Sequence, residues 1–287
     1  MKQIRYFFEA LLLFILLGVS KALPVTAASN FGGWIGRSIG PRLAASRKAI
    51  RNIEMVFPNK NSEDVQNIVA GMWENLGRVM MEYPHLEKIS KTRTEFVGAE
   101  HLKNIDEGSI IISAHLANWE IVPPTLLFQG NLPATPVYRA PNNPFSDYLL
   151  KKARSINGRI DSIPKSKSGT RNIVKLLKNK GHVGLVIDQK YNEGIEVDFM
   201  GHPAMTSDAF AQLTQKFKTP LIAVKVERLE NCKFRVTVFP HINIKDKTSE
   251  QIVEASHTMM KEWIFENPEH WLWLHNRWKN KNKKKGF

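Results

Sequence analysis

Cysteine is almost absent from this chain: Cys232 is the only one in 287 residues. A lone thiol excludes an intramolecular disulfide framework and a cysteine-rich zinc site, and it fits a body kept in a reducing compartment. Acidic residues are scarce relative to basic ones, 27 Asp and Glu against 41 Lys and Arg, which leaves a formal charge of +14. That imbalance selects partners carrying negative charge, whether phosphate-bearing lipid, anionic membrane, acidic protein or nucleic acid, without choosing among them. Internal repeats are lacking. The one low-complexity segment is the tail Lys279 to Lys285, a solvated charge run whose lysines would each gain about 1 kcal/mol near an anionic bilayer. No base-reading or stacking motif is found, which argues against nucleic acid as the partner. What is present is 43% hydrophobic and 24% charged residues, enough for a packed body of one large domain or two small ones.

Long apolar runs are missing except at the start. Tyr6 to Leu23 is almost wholly apolar, with Arg5 before it and Pro24 after it. A spanning helix needs about 20 such residues, so the segment sits at the lower limit. A secretory signal is the rival reading, since a basic start, an apolar stretch and Ala27-Ala28-Ser29 fit that pattern loosely. Glu9 sits badly inside a signal's apolar core, which favours a retained anchor, either a short span or a helix lying deep in the interface. Arg5 and Lys21 flank both ends and leave orientation open. The expected division is therefore an anchor at residues 1–28 and a body at residues 29–287 that ends in the basic tail.

After the anchor, Gly32, Gly36 and Gly40 recur every fourth residue around Trp34 and Ile35. The spacing suits either close helix packing or a glycine-rich connector. Asn61 and Ser62 offer caps to a stretch in which Val65, Ile68, Val69, Met72, Trp73, Leu76, Val79 and Met80 follow helical spacing, a core-packing stripe. Further on, β-like runs alternate with helical ones. Strands are expected at Ser109 to Ser113, Thr135 to Tyr138, Arg159 to Ile163, Val183 to Ile187, Ile195 to Phe199, Leu221 to Val226 and Phe234 to Phe239. Helices are expected at Pro144 to Ile156, Ser168 to Lys180, Ser207 to Phe217 and Ser249 to Asn267. Such alternation predicts an α/β fold, a mixed and mostly parallel sheet flanked by helices.

The apolar run Ser109 to Ser113 delivers His115 to a strand's C-terminal end, where open α/β sheets place their ligand crevices. Glu120 follows five residues later, near the start of an expected helix. A turn there would fold its carboxylate back to one imidazole nitrogen and leave the other facing a substrate hydroxyl, a general-base pair. The bland reading is a hydrogen-bonded histidine at a strand end, and the His-x4-Glu spacing suits zinc poorly. Arg139 follows an apolar strand and precedes Pro141-Asn-Asn-Pro144, whose turn residues would hold it at the sheet edge. Its guanidinium fork suits a phosphate, although a surface arginine is ordinary in so basic a chain. Asp188 ends another apolar strand, where it would orient Arg139, bind substrate, or serve only as a cap or turn residue. Asn118 is placed to support the His115 turn by hydrogen bonding. Trp119 and the Trp271 to Trp278 segment read as packing.

These residues resemble the lipid A biosynthesis acyltransferases of the lauroyl and myristoyl transferase type, within the glycerolipid acyltransferase superfamily. The resemblance rests on an ordered series: Arg51 to Pro58, Trp73 to Arg78, Ser113 to Glu120, Val137-Tyr-Arg139 with Asn142-Asn143, Ile187-Asp-Gln189, Met205-Thr206 and Glu269 to His275. It implies catalytic roles for His115 and Glu120 and engagement of substrate or transition state by Arg139. Ala223 stands where many members have proline, and Asn276 where arginine is common; neither touches the His115 block. The resemblance further implies acyl carrier protein as donor, a phosphorylated lipid A precursor as acceptor and no cofactor or metal. It also implies an anionic membrane as partner and a catalytic domain on the cytoplasmic side of the inner membrane. The rivals are an acyl-CoA-dependent transferase acting on another lipid or glycolipid, and a basic lipid- or nucleic-acid-binding protein without catalysis.

Overall fold

The computed structural model describes residues 2–103 and 105–278, so the expected role of the basic tail Lys279 to Lys285 lies outside the described residues. The apolar N-terminal stretch is helix α1 (Lys2–Ala22), and Pro24, extended at ψ 143°, ends it and starts α2 (Val25–Ile39). Proline lacks the N–H that would continue a helix and disfavours helical backbone just before itself. Two helices follow, α3 (Ser46–Val56) and α4 (Ser62–Glu82). Asn61 caps α4 as its spacing predicts, with its Oδ1 accepting from the Asp64 N–H at 2.8 Å.

The expected choice for the glycine run resolves as close packing, because α2 crosses α4 backbone to backbone. A Cβ on Gly36 would lie 2.1 Å from the Trp73 carbonyl oxygen, and one on Gly32 would lie 2.3 Å from that of Gly77. Only residues without a Cβ allow this approach. The expected anchor boundary at residue 28 falls inside α2, where Val25 and Ala28 are buried.

Helix α5 (Leu86–Thr92) leads into the sheet strands β1 (Thr94–Val97) and β2 (Ser109–Ser113). Then come α6 (Val122–Phe128), β3 (Ala134–Tyr138), α7 (Pro144–Arg154), β4 (Ile163–Pro164), α8 (Lys167–Lys178) and β5 (His182–Val186). A hairpin of β6 (Ile195–Phe199) and β7 (His202–Thr206) precedes α9 (Ala209–Phe217), β8 (Leu221–Leu229), β9 (Lys233–Val238) and α10 (Ser249–Glu266). The main sheet runs β1-β9-β8-β2-β5-β3-β4, and every pairing is parallel except β8 with β9. This is the mixed, mostly parallel sheet flanked by helices that the alternation predicts.

Strand β2 lies near the centre with all five residues buried. Ile110 and Ile112 join one core layer with Val65, Ile68, Val69 and Met72 of α4, while Ile111 joins the other layer with Leu126 and Val79. Side chains alternate across a strand, so an uninterrupted apolar run marks a strand covered on both faces. One expected strand shrinks: of Arg159 to Ile163 only Ile163 enters the sheet. Ile156, Asn157 and Gly158 take left-handed backbone there, so Arg159 and Ile160 belong to the turn after α7.

Candidate active site

The parallel register of β2 and β5 builds the site. Ser113 stands opposite Val186, and two residues further along each chain come His115 and Asp188. The Ile187 N–H donates to the Ser113 carbonyl at 3.1 Å, which carries the ladder to the edge of the sheet. Asp188 Oδ1 lies 2.7 Å from Nδ1 of His115, and Oδ2 accepts from the His115 backbone N–H at 3.0 Å and from the Trp271 indole N–H at 2.7 Å. Burial pushes the Asp188 carboxyl up, but the neighbouring His115 charge and these hydrogen bonds outweigh it and hold the group well below the usual carboxylate range. An ionised acceptor at Nδ1 fixes the tautomer with the proton on Nδ1, which leaves Nε2 as the nitrogen with a lone pair able to take a proton.

The carboxylate on the imidazole is thus Asp188, not Glu120 as the five-residue spacing suggests. Glu120 enters a short 3-10 turn, Trp119–Ile121, that carries its side chain away from the ring. There it accepts from Arg154 Nε and Nη2 at 2.6 and 2.8 Å, and from the Tyr83 hydroxyl at 2.7 Å. Burial raises the Glu120 pKa, yet the Arg154 charge and the hydrogen bonds from Arg154 and Tyr83, with a further contribution from His115, leave it lowered. Glu120 therefore lies near enough to feel the His115 charge but does not touch the ring.

Two other expected substrate-binding residues support the site instead. Asp188 is 2% exposed and Asn118 0%, so neither offers a face to a substrate. Asn118 caps the 3-10 turn, accepting from the Glu120 N–H at 3.2 Å, and donates to Glu82 Oε2 at 2.7 Å. Asp188 does not orient Arg139, because all of its described partners are at His115 and Trp271. Arg139 does stand at the sheet edge, exposed and without a hydrogen bond or ion pair among the described residues.

Residues that the sequence reading did not place in the site complete it. The Gln189 amide nitrogen lies 3.0 Å from Nε2 of His115 and 2.7 Å from Nε2 of His275, so one NH2 group donates to both rings. Burial first, then the His115 charge, depresses His275 to a pKa of about 4, which keeps it a neutral acceptor. The segment after α10 is more than packing. Its Leu272 N–H donates to the His115 carbonyl at 3.2 Å, and its His270 carbonyl accepts from the Ala117 N–H at 2.9 Å. Ala117 holds left-handed backbone at φ 49°, a conformation costing roughly 1–2 kcal/mol for a residue with a Cβ. Asn75 braces it by donating to the Ala117 carbonyl at 2.9 Å, and Arg228 in turn links Asn75 to the fully buried Glu82. Gln189, Trp271 and His275 lie within the quoted blocks, which offered a signal. Tyr83 and Arg154 carried none, since Arg154 is one of three cations in the last turn of α7.

A family model for bacterial lipid A biosynthesis acyltransferase matches residues 1–280. The chain is similar to a lipid A biosynthesis palmitoleoyltransferase of Escherichia coli, 22% identical over 275 residues, 90% of this chain and 87% of the relative. It is also similar to a lipid A biosynthesis lauroyltransferase of Escherichia coli, 23% identical over 277 residues with the same coverage of 90% and 87%. Among solved structures it resembles a 1-acyl-sn-glycerophosphate acyltransferase from Thermotoga maritima, with 13% identity, a TM-score of 0.41, and 91% of this chain and 98% of that one covered.

Proposed function

The chain belongs to the bacterial lipid A biosynthesis acyltransferase family and is an acyltransferase; from that premise we propose that it moves a fatty acyl group directly from an acyl carrier protein thioester to a hydroxyl of a phosphorylated lipid A precursor. The observation that carries the mechanism is the His115 ring, held by Asp188 at 2.7 Å on Nδ1 and presenting Nε2 towards Gln189 and His275. The acceptor hydroxyl displaces the Gln189 amide from Nε2 and gives up its proton there as its oxygen attacks the thioester carbonyl. The carbon–sulfur bond then breaks, and the leaving thiolate takes the proton back from the imidazolium. Asp188 stabilises that imidazolium, Glu120 adds a second negative charge nearby, and Arg139 meets the developing oxyanion or a substrate phosphate.

Direct transfer without an acyl-enzyme fits the chemistry. A thiol of pKa near 8.5 leaves readily, so a two-step route gains little. The single thiol, Cys232, is buried beside Glu82, and burial first, then that charge, pushes it up to about 12. It is no nucleophile, which needs an activated thiolate. The cytoplasmic face of the inner membrane is the compartment proposed with this reaction, because the intracellular acyl carrier is the donor.

Purified protein supplied with a lipid A precursor and labelled acyl carrier protein, or acyl-CoA in a parallel reaction, tests the reading by mass spectrometry of the lipid. One acyl chain should be added from the carrier protein, and His115→Ala should reduce turnover by roughly a hundredfold or more. Near-wild-type turnover in His115→Ala would sink the mechanism, and transfer from acyl-CoA alone would overturn the donor.

A further inference from the structure

The outer strands of the sheet place a second cation beside Arg139. In the parallel pair β3/β4, Tyr138 stands opposite Pro164, so Arg139 and Lys165 are the next residue on each strand. The Lys165 N–H donates to the Tyr138 carbonyl at 2.8 Å, which extends the ladder to that residue and fixes the two side by side. Both sit at the C-terminal edge that carries Asp188 on β5 and His115 on β2. The Lys165 ammonium lies over the Tyr191 ring, 4.5 Å from its centroid, and Tyr191 follows Asp188 and Gln189 by a few residues. It therefore reaches back from β4 over the loop after β5, the loop that carries Asp188 and Gln189 to His115.

Neither cation forms an ion pair among the described residues. Desolvation, then the Arg139 charge, pushes the Lys165 pKa below its ordinary value. Arg139 and Lys48 are also felt at His275, where both oppose protonation after burial and His115. Unlike Arg154, which is neutralised by Glu120, these groups hold like charge together with no carboxylate in ion-pair contact with either among the described residues; Glu193 accepts instead from the Tyr191 hydroxyl at 3.3 Å. Such an arrangement is stabilised by a bound anion. A flat guanidinium fork beside a mobile ammonium matches a phosphoryl group, which offers three oxygens and more than one negative charge.

We propose that Lys165 and Arg139 together form a phosphoryl-binding site at the sheet edge that carries His115, and that Lys165 is a specificity-determining residue of the transferase. The inference rests on the acyl-transfer reading, and it names the chemistry shared by two sources, a phosphate of the lipid acceptor and the phosphopantetheine of the donor. Either would be held at the outer edge of the sheet, on the strands beyond β5, so that the reacting hydroxyl or thioester extends back towards His115.

The test uses full-length protein in detergent with Lys165→Ala and Lys165→Arg. Equilibrium binding of a lipid A precursor is compared with that of its dephosphorylated form, and acyl-phosphopantetheine with acyl-pantetheine. Wild type should prefer one phosphorylated probe about tenfold or more, the size of a charge-assisted hydrogen bond. Lys165→Ala should erase that preference and Lys165→Arg should restore most of it. In turnover, KM for the same substrate should rise with kcat within about twofold, and the substrate affected identifies the source. An unchanged preference in Lys165→Ala on both pairs of probes overturns the site, whereas wild-type protein that binds with this preference yet transfers no acyl group overturns only the reaction.

Discussion

Asp188 meets His115 at two points, the ring and the backbone N–H, and its Oδ2 also accepts from the Trp271 indole N–H. Asp188→Asn keeps the shape but supplies an amide that offers one acceptor where two oxygens accepted, and the imidazolium formed during transfer loses its counter-charge. Turnover should fall about 10²- to 10⁴-fold, with stability altered far less. Glu120→Ala should behave differently. It strands Arg154, whose side chain is 12% exposed and whose only carboxylate partner among the described residues is Glu120. Removing one member of a buried pair costs about 3–5 kcal/mol, so urea denaturation should show a large loss of stability along with the loss of activity. Equal stability losses in the two variants would contradict this division between a carboxylate that orients the base and one that holds α7 to the site.

At the scale of elements, the α2–α4 crossing depends on Gly32 and Gly36 of α2 and Gly77 of α4, whose Cβ positions are already occupied by the facing backbone. Alanine is the better helix former by about 1 kcal/mol, so Gly36→Ala should stabilise an isolated α2. In the folded chain its Cβ would lie 2.1 Å from the Trp73 carbonyl, and neither backbone can yield without separating the helices. The clash should win, lowering stability by about 1–3 kcal/mol. Gly18→Ala on α1, where nothing lies within 4 Å, is the control and should not lower it. A Gly36→Ala protein as stable as the wild type would show that the crossing is looser than its contacts indicate. The elements that carry the site were legible because apolar runs such as Ser109 to Ser113 and Val183 to Ile187 announce strands covered on both faces. Local spacing could not reveal which strands are neighbours. His115 and Asp188 are 73 residues apart, and their meeting follows from a register that only the folded sheet defines. Strand β7 passed unnoticed because His202-Pro-Ala-Met-Thr206 carries a proline and little alternation, and edge strand β1 is only four residues long. Arg154 was hidden for a related reason: Lys151, Lys152 and Arg154 look equivalent until the turn at Trp119–Ile121 shows which one faces Glu120.

For the whole molecule, the apolar surface and the tethering of α1 determine how the chain meets a membrane. Helix α1 is 21 residues long and apolar enough to cross one, yet it touches the body at both ends. Near its start, Asn143 at the cap of α7 donates to the Tyr6 carbonyl at 2.8 Å and to Glu9 at 3.2 Å. Near its end, Ser20 bonds to the Met81 carbonyl and its own carbonyl meets His85 at 2.8 Å. Fourteen residues of helix span about 21 Å, so α1 lies along the body for most of its length. Crossing a hydrocarbon core about 30 Å thick would draw α7 with Lys151 and Lys152 into the bilayer, at a cost of about 2.5–3.5 kcal/mol for each charge. Lying in the interface avoids that cost. It also leaves the exposed Phe7, Phe8, Leu12 and Phe14 of α1 to be covered by lipid, and the chain's net charge of +14 suits an anionic leaflet. Lys2→Cys distinguishes the two arrangements, with the catalytic body on the cytoplasmic side as proposed. The native thiol, Cys232, is 5% exposed and contributes little background, and Cys232→Ser removes it altogether. In intact spheroplasts a membrane-impermeant maleimide should leave the introduced thiol unlabelled, and lysis should render it reactive, because an interfacial helix keeps its N-terminus on the side of the body. Labelling before lysis would place residue 2 on the opposite face and establish a spanning helix, which requires the Asn143 contacts with Tyr6 and Glu9 to break.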